Sequence, residues 1–482
     1  MITSRTDKWF AAGLYLLTIV VGIGLLAGII WWGEYRLGSR VIGGQPVPVD
    51  GGGVAGQVVP EKASSVDVLH HVLLTLAVVM MLGGILARLL RWAGQPPVIA
   101  EVVAGICLGP SVLGALSPQL MHGLIPGPDV DPHGRVTAAM QAIAQLGILL
   151  YMFVVGLELD AGELRQRARA AVTISHFGIL VPFVLGALCS LWLYRAYAPP
   201  EVSFTGFAMF VGVAMSITAF PVLARILTDR GLASTPMGAL ALTCAAADDV
   251  TAWCLLALVV GMIRSQVDMA IWVVCGTVTF VVVMVWGVRP WAARWCAHWD
   301  TLPGPVSPGV MLVGLLSVLL AALTTEWIGI HAIFGSFMLG AVVPHDSRLA
   351  VELRNRLRDA VTIVMLPAFF ALTGMRTQIG LLSSGWDWLA CLLVIGMATA
   401  GKFGGTWVAA RLSGVGARES AALGALMNTR GLMELIVLNI GLDLGVISER
   451  LFAMMVLMAL VTTVAAAPIV ARLYPVNRPE LL

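Results

Sequence analysis

The stretch Gly238–Met262 reads GALALTCAAADDVTAWCLLALVVGM. Two adjacent carboxylates, Asp248 and Asp249, stand in an otherwise uncharged and largely apolar run. About 20 such residues cross a bilayer as a helix, and one charge at the centre of a span costs roughly 2.5–3.5 kcal/mol. A pair is retained there when side-chain partners or a water-filled cavity receive it. The stretch therefore decides both the fold class, an all-helical protein of the bilayer, and the place where its chemistry sits. Neighbours on a helix of 3.6 residues per turn point about 100° apart. One acid can face a fixed partner while the other faces a cavity.

The rest of the 482 residues follows suit, with 59% hydrophobic and 12% charged residues and a mean hydropathy of +0.92. Soluble domains carry about 25% charged residues, so the chain reads as polytopic and the lipid bilayer as its medium. A net charge of +2 gives no reason to expect a nucleic-acid partner. The seven cysteines lie in apolar segments or, at Cys296, in what reads as a short basic loop. Their spacing suggests neither a disulfide framework nor a zinc site, and no motif calls for a cofactor. The first apolar run, Trp9–Trp32, is too long for the core of a signal peptide and reads as a retained span.

Fourteen transmembrane helices are expected, near 9–32, 67–90, 97–115, 136–157, 170–194, 203–228, 235–262, 268–288, 308–326, 329–344, 360–380, 386–410, 417–442 and 450–471. With the N-terminus inside, nineteen Arg and Lys residues fall in cytoplasmic segments and seven in outer loops. That asymmetry satisfies the positive-inside rule and puts both termini in the cytoplasm, as for a protein of the bacterial inner membrane. A Gly- and Pro-rich outer loop closes residues 1–66, an accessory first helix ahead of a 13-helix body over 67–482. The cluster RNRLRD (Arg354–Asp359) reads as a solvated cytoplasmic loop.

An internal repeat is visible in the body. FVVGLELD (Phe153–Asp160) is echoed by FALTGMRT (Phe370–Thr377), and GICLGP (Gly105–Pro110) more loosely by GSFMLGAVVP (Gly335–Pro344). Seven spans separate the members of each pair, and an odd number reverses orientation, so these read as inverted repeats. Two spans in corresponding places are interrupted. The first, ITAFPVLARIL (Ile217–Leu227), follows Ser216 and holds Thr218, with Phe220 preceding Pro221. Proline removes a backbone donor and disfavours helix in the residue before it. The second, MNTRGLMELIVLNIG (Met427–Gly441), carries Asn428, Thr429, Arg430, Gly431 and Glu434. Unpaired backbone at membrane depth is tolerated only where protein or a water-filled cavity satisfies it.

Lys402, in ATAGKFGGTW, is one of three lysines and the only one within a span, which makes it the countercharge for the acid pair. Its glycine neighbours permit close helix approach. A buried carboxylate whose charge is tuned by a nearby cation can alternate between a proton and a metal cation. Hard oxygen ligands suit Na⁺ or K⁺, and Thr218 with carbonyls freed at a helix break could complete a shell around Asp249. Glu101, early in span three, reads equally as a gate or a packing residue. His331 reads as an interface histidine, with a proton relay as the alternative. Arg430 and Glu434, four apart, read as a salt bridge along their helix.

Taken together and in order, ITAFPVLARIL, AAADDVTAW, GKFGGT and MNTRGLMELIVLNIG resemble the monovalent cation:proton antiporter-2 family, over about residues 67–473. The resemblance implies a core domain and a dimerisation domain, hence a homodimer, with two discontinuous helices crossing in the core. It implies that Asp249 carries the ion or proton, that Asp248 is the partner of Lys402, and that Thr218 lies at the crossing. The acid pair, where plant exchangers often have Asn-Asp, points toward electrogenic exchange. The expected function is thus secondary antiport of Na⁺ or K⁺ against H⁺ by alternating access. An uncoupled cation channel would use the same acids. An intramembrane aspartyl protease is disfavoured, since it needs its two acids on different helices; the chain is not expected to be an enzyme.

Overall fold

The computed structural model describes residues 5–37, 67–93, 95–127, 129–158, 161–232, 235–263, 267–301 and 306–474, and all regular structure among them is helical. Segment 38–66, expected to belong to an outer loop, lies outside the described residues. The chain runs through α1 (Arg5–Leu37), α2 (Val68–Arg91), α3 (Pro97–Leu108), the short α4 (Leu113–Leu116) and α5 (Pro118–Leu124), α6 (Arg135–Leu157) and α7 (Ala161–Tyr197). Next come α8 (Phe204–Ser216), α9 (Phe220–Asp229), α10 (Pro236–Ile263) and α11 (Val267–Val282), which continues through a π-helical stretch (Val283–Val288) into α12 (Arg289–Asp300). Then follow α13 (Pro308–Ile328), α14 (Ala332–Val342) and α15 (Arg348–Ala360), joined by a second π-helical stretch (Val361–Met365) to α16 (Leu366–Arg376). The chain closes with α17 (Gly385–Leu412), α18 (Ala417–Met427), α19 (Leu432–Asp443) and α20 (Glu449–Leu473).

Eleven helical stretches among the described residues are long and apolar enough to cross a membrane. The remaining three of the fourteen expected spans are shorter. Span 203–228 divides into α8 and α9, and span 417–442 into α18 and α19. Span 329–344 holds only the 11 residues of α14. At 1.5 Å per residue that helix is about 16 Å long, against a hydrocarbon core of about 30 Å.

Two segments expected to be loops are helices. Around Cys296 the chain forms α12, with Ala292 and Cys296 turned inward. RNRLRD belongs to α15, which buries Leu349, Ala350 and Leu353 and pairs Arg356 with Glu352 at 2.6 Å. α15 carries its charge on one face and apolar residues on the other, as surface helices do.

The helices pack in two groups. In one, α7 lies against α8, α10 and α17, with α18 and α20 completing the group; α1 rests on α7 and α8. Glu34 of α1 accepts from the Thr205 amide (3.1 Å) and hydroxyl (2.7 Å), which satisfies a donor at the start of α8. In the other group α2, α3, α6, α13, α14 and α16 pack together.

The sequence echoes meet crosswise in this second group. The helix with GICLGP (α3) packs on the helix with FALTGMR (α16), and the helix with GSFMLG (α14) packs on the one with FVVGL (α6). Exchanging the two halves of the chain turns one contact into the other. Each contact sets glycine against glycine: a Cβ on Gly374 would lie 2.8 Å from Gly105 Cα, and one on Gly340 would lie 2.9 Å from Gly156 Cα. Small residues allow such approach where no hydrophobic force drives helices together. Gly340→Ala is expected to destabilise the protein by about 1–3 kcal/mol through overpacking. Gly396→Ala, inside α17 with open space around it, is expected to be neutral. Thermal melting of the two variants in detergent checks the contrast.

Candidate functional site

The first group of helices is organised around two breaks. α8 stops at Ser216, residues 217–219 are not helical, and α9 starts at Phe220. Pro221 lies in the first turn of α9, where its missing N–H costs nothing; its side chain lies outside the described residues. The second break spans Asn428 to Gly431, between α18 and α19. A helix end leaves amides or carbonyls without intrahelical partners. Here the breaks satisfy one another: the Ala219 amide donates to the Thr429 carbonyl at 3.1 Å, and the Thr218 hydroxyl lies 3.0 Å from the Met427 carbonyl.

Cations hold the end of α8. Lys402 Nζ donates to the Ser216 carbonyl at 2.5 Å. Arg430 Nη2 donates to Met215 at 2.6 Å and Nη1 to Ala214 at 3.1 Å. These are the last three carbonyls of the helix, its negative end, where a cation is stabilising. Arg430 is itself fixed by Thr463, whose hydroxyl accepts from the Arg430 amide (2.8 Å) and donates to its carbonyl (2.6 Å). The Ser216 hydroxyl turns back to the Gly212 carbonyl at 2.6 Å.

The acid pair divides as helix geometry requires. Asp248 is fully buried and meets three donors: Ser175 at 2.5 Å on Oδ1, with Thr218 at 2.6 Å and Lys402 at 2.7 Å on Oδ2. Asp249 is 1% exposed, yet neither of its oxygens has a hydrogen-bond partner among the described residues. Arg430 and Glu434 form the expected ion pair, with Nη1 3.2 Å from Oε2 and both side chains fully buried. The Asn428 Oδ1 is buried without a hydrogen-bond partner among the described residues.

The residues anticipated from sequence thus gather at the breaks, apart from Glu101 and His331. Thr218 sits on Asp248 and not on Asp249. Glu101, on α3 in the second group, packs toward Gly83 of α2 and joins no ion pair among the described residues. His331 caps the start of α14, with Nδ1 3.5 Å from the Ile333 amide, and lines a cavity of about 200 Å³ together with Trp253, Glu326 and Asp443. Ser175 and Thr463 were not anticipated. A lone hydroxyl in an apolar helix carries no signal, because it can always bond its own backbone four residues back.

In chemical terms the site offers one uncompensated carboxylate beside a fixed, fully bonded ion pair. Among the described residues no three His, Cys, Asp or Glu side chains converge to hold a metal ion.

Comparison with known proteins bears on the same residues. A family model described as sodium/hydrogen exchanger, transmembrane, matches residues 76–473. The Na⁺/H⁺ antiporter NhaS4 of Synechocystis sp. is 43% identical over 410 residues, which cover 85% of this chain and 97% of that protein. Cation/H⁺ antiporter 17 of Arabidopsis thaliana is 39% identical over 86% of this chain, and K⁺/H⁺ antiporter 1 of Saccharomyces cerevisiae is 32% identical over 88% of it. The chain spans 51% and 49% of the length of those two. Among solved structures, the sodium proton antiporter MjNhaP1 from Methanocaldococcus jannaschii shares the fold, with a TM-score of 0.56 at 12% identity, covering 84% of this chain and 97% of that one.

Proposed function

The chain belongs to the sodium/hydrogen exchanger family and is a monovalent cation:proton antiporter, and we propose that Asp249 is the group for which Na⁺ or K⁺ and H⁺ compete. One observation carries this assignment: of the five buried charged side chains at the breaks, Asp249 alone has neither an ion pair nor a hydrogen bond among the described residues. Asp248 is balanced by Lys402, and Glu434 by Arg430. One proton or one monovalent cation then makes the site neutral. A divalent ion would leave it positive, and an empty Asp249 would leave a bare carboxylate in the bilayer, the most costly of these states.

That ranking supplies the coupling. Alternating access carries the site from one side of the membrane to the other, and the loaded, neutral forms make the passage far more easily than the empty, charged one. Each passage of a cation is therefore matched by a return with one proton, an electroneutral exchange, where the resemblance in sequence points to an electrogenic one. We read the two broken helices as crossing near the midplane, within a mobile core that contains α7, α8, α10 and α17. The group around α3, α6, α14 and α16 is the scaffold, through which two copies pair as a homodimer. The arginine distribution supports fourteen membrane segments with both termini cytoplasmic, in a bacterial inner membrane. Residues 1–66 add an accessory helix to the 13-helix exchanger body over 67–482, and the Glu34 contact ties that helix to the core.

The experiment is made with the purified chain in sealed liposomes holding a pH-sensitive dye and an imposed pH gradient, under a clamped membrane potential. Added Na⁺ or K⁺ is expected to collapse the gradient, which also names the ion. Cation flux that leaves the dye unchanged would mean an uncoupled channel and overturn the proposal.

A further inference from the structure

The cavity lined by His331 lies where α10, α13 and α19 end together, between the two groups of helices. One wall comes from Glu326, Ile330 and His331 and another from Ile440 and Asp443; α10 supplies Trp253, Leu256 and Val260. Those three residues continue a stripe that begins at Asp249, since positions 249, 253, 256 and 260 share one helix face. The cavity stops at Trp253 and does not include Asp249. Side chains on a helix lean toward its N-terminus, so the Trp253 side chain leans toward the turn that carries Asp249.

Trp253 is 4% exposed, and its Nε1–H has no acceptor among the described residues. An indole N–H that is buried normally finds a partner. The cavity, at about 200 Å³, has room for about six waters at their liquid volume. Its walls are polar as well as roomy. Glu326 accepts from the Ala332 amide at 3.0 Å, Asp443 pairs with Arg376 at 2.9 Å, and His331 faces the same space.

We propose that Trp253 is the seal between this vestibule and Asp249: its ring closes the floor, and its Nε1–H holds the last water through which a proton or cation reaches the carboxylate. This is a positioning role in the exchange reaction, and it rests on the assignment of Asp249 as carrier. A smaller apolar side chain opens the floor, so protons reach Asp249 without waiting for the conformational cycle. Phenylalanine keeps the closure and loses the donor.

The test compares wild type, Trp253→Leu, Trp253→Phe, Asp249→Asn and the Trp253→Leu/Asp249→Asn double variant as full-length chains in dye-loaded liposomes. Without any transported cation, W253L is expected to dissipate an imposed pH gradient about tenfold faster than wild type, and the double variant to lose that leak. W253F is expected to stay tight and to exchange about tenfold more slowly, as removal of one hydrogen bond allows. A folded W253L that shows no leak, or a leak that survives in the double variant, would overturn the proposal. Should W253L fail to reconstitute, W253F decides, and a wild-type exchange rate there would overturn it equally. Exchange that persists in D249N alone would instead remove the carrier role on which the proposal stands, whatever the Trp253 variants do.

Discussion

Asp249→Asn abolishes cation-driven proton movement while leaving the protein folded. The amide matches the carboxylate in shape but neither binds nor releases a proton, so no slower version of the same cycle remains. The expected loss is about a hundredfold or more, since a permanently neutral group removes the charge that the cation needs at membrane depth. Stability should not fall with activity. Both oxygens of Asp249 are buried without hydrogen-bond partners among the described residues, and removing an unpaired charge from a buried site is neutral or favourable. The melting temperature of D249N in detergent is thus expected to equal or exceed that of wild type. Exchange and melting measured on one preparation check both halves of this result.

The neighbouring acid behaves in the opposite way. Asp248→Asn or Lys402→Met breaks a buried pair at 2.7 Å in which both side chains are fully enclosed. Loss of one partner leaves an uncompensated charge, which costs roughly 3–5 kcal/mol. Lys402→Met also frees the Ser216 carbonyl at the end of α8. Each single variant is expected to melt well below wild type and to lose exchange through disorder at the breaks. The D248N/K402M double variant removes both charges and is expected to recover much of the stability of either single change, a coupling that the double-mutant cycle reads directly. Additive losses would show that the two groups do not act as a pair. Two residues adjacent in sequence thus separate by experiment, one through function alone and the other through stability first.

Charge at membrane depth is what made this site legible in the sequence. Asp248, Asp249, Lys402, Arg430 and Glu434 stand out because each is costly in an apolar helix, and the 100° step between adjacent residues foretold that the two acids would part company. Pro221 and the polar cluster at Asn428–Gly431 marked the two breaks for a similar reason, since backbone freed inside a bilayer requires partners. The glycine-bearing echoes showed which segments correspond, though not that each would pack against a segment of the opposite half.

What escaped notice was whatever leaves no trace in composition. Ser175 and Thr463 are ordinary hydroxyl residues in apolar helices, and only their placement gives them Asp248 and the Arg430 backbone as partners. Arg430 was read through its local spacing to Glu434, yet it also reaches Ala214 and Met215, more than 200 positions earlier. Thr218, expected in the shell around Asp249, donates to Asp248. Cys296 and the RNRLRD cluster read as loops because arginines mark inner loops; in α15 the same arginines form the polar face of an amphipathic helix. Span 329–344 holds a helix of only 11 residues, α14, because hydropathy does not mark where a helix stops.

Competition between cation and proton at Asp249 is tested most directly by counting protons. Purified protein in a weakly buffered detergent solution is titrated with Na⁺ or K⁺ at a series of pH values, and released protons are read with a pH dye. In the pH range where Asp249 is protonated, wild type is expected to release about one proton for each monovalent cation bound, as competition for a single carboxylate requires. D249N is expected to release none. Cation binding without proton release in wild type, or equal release from D249N, would contradict the competition and place the exchange chemistry on another group.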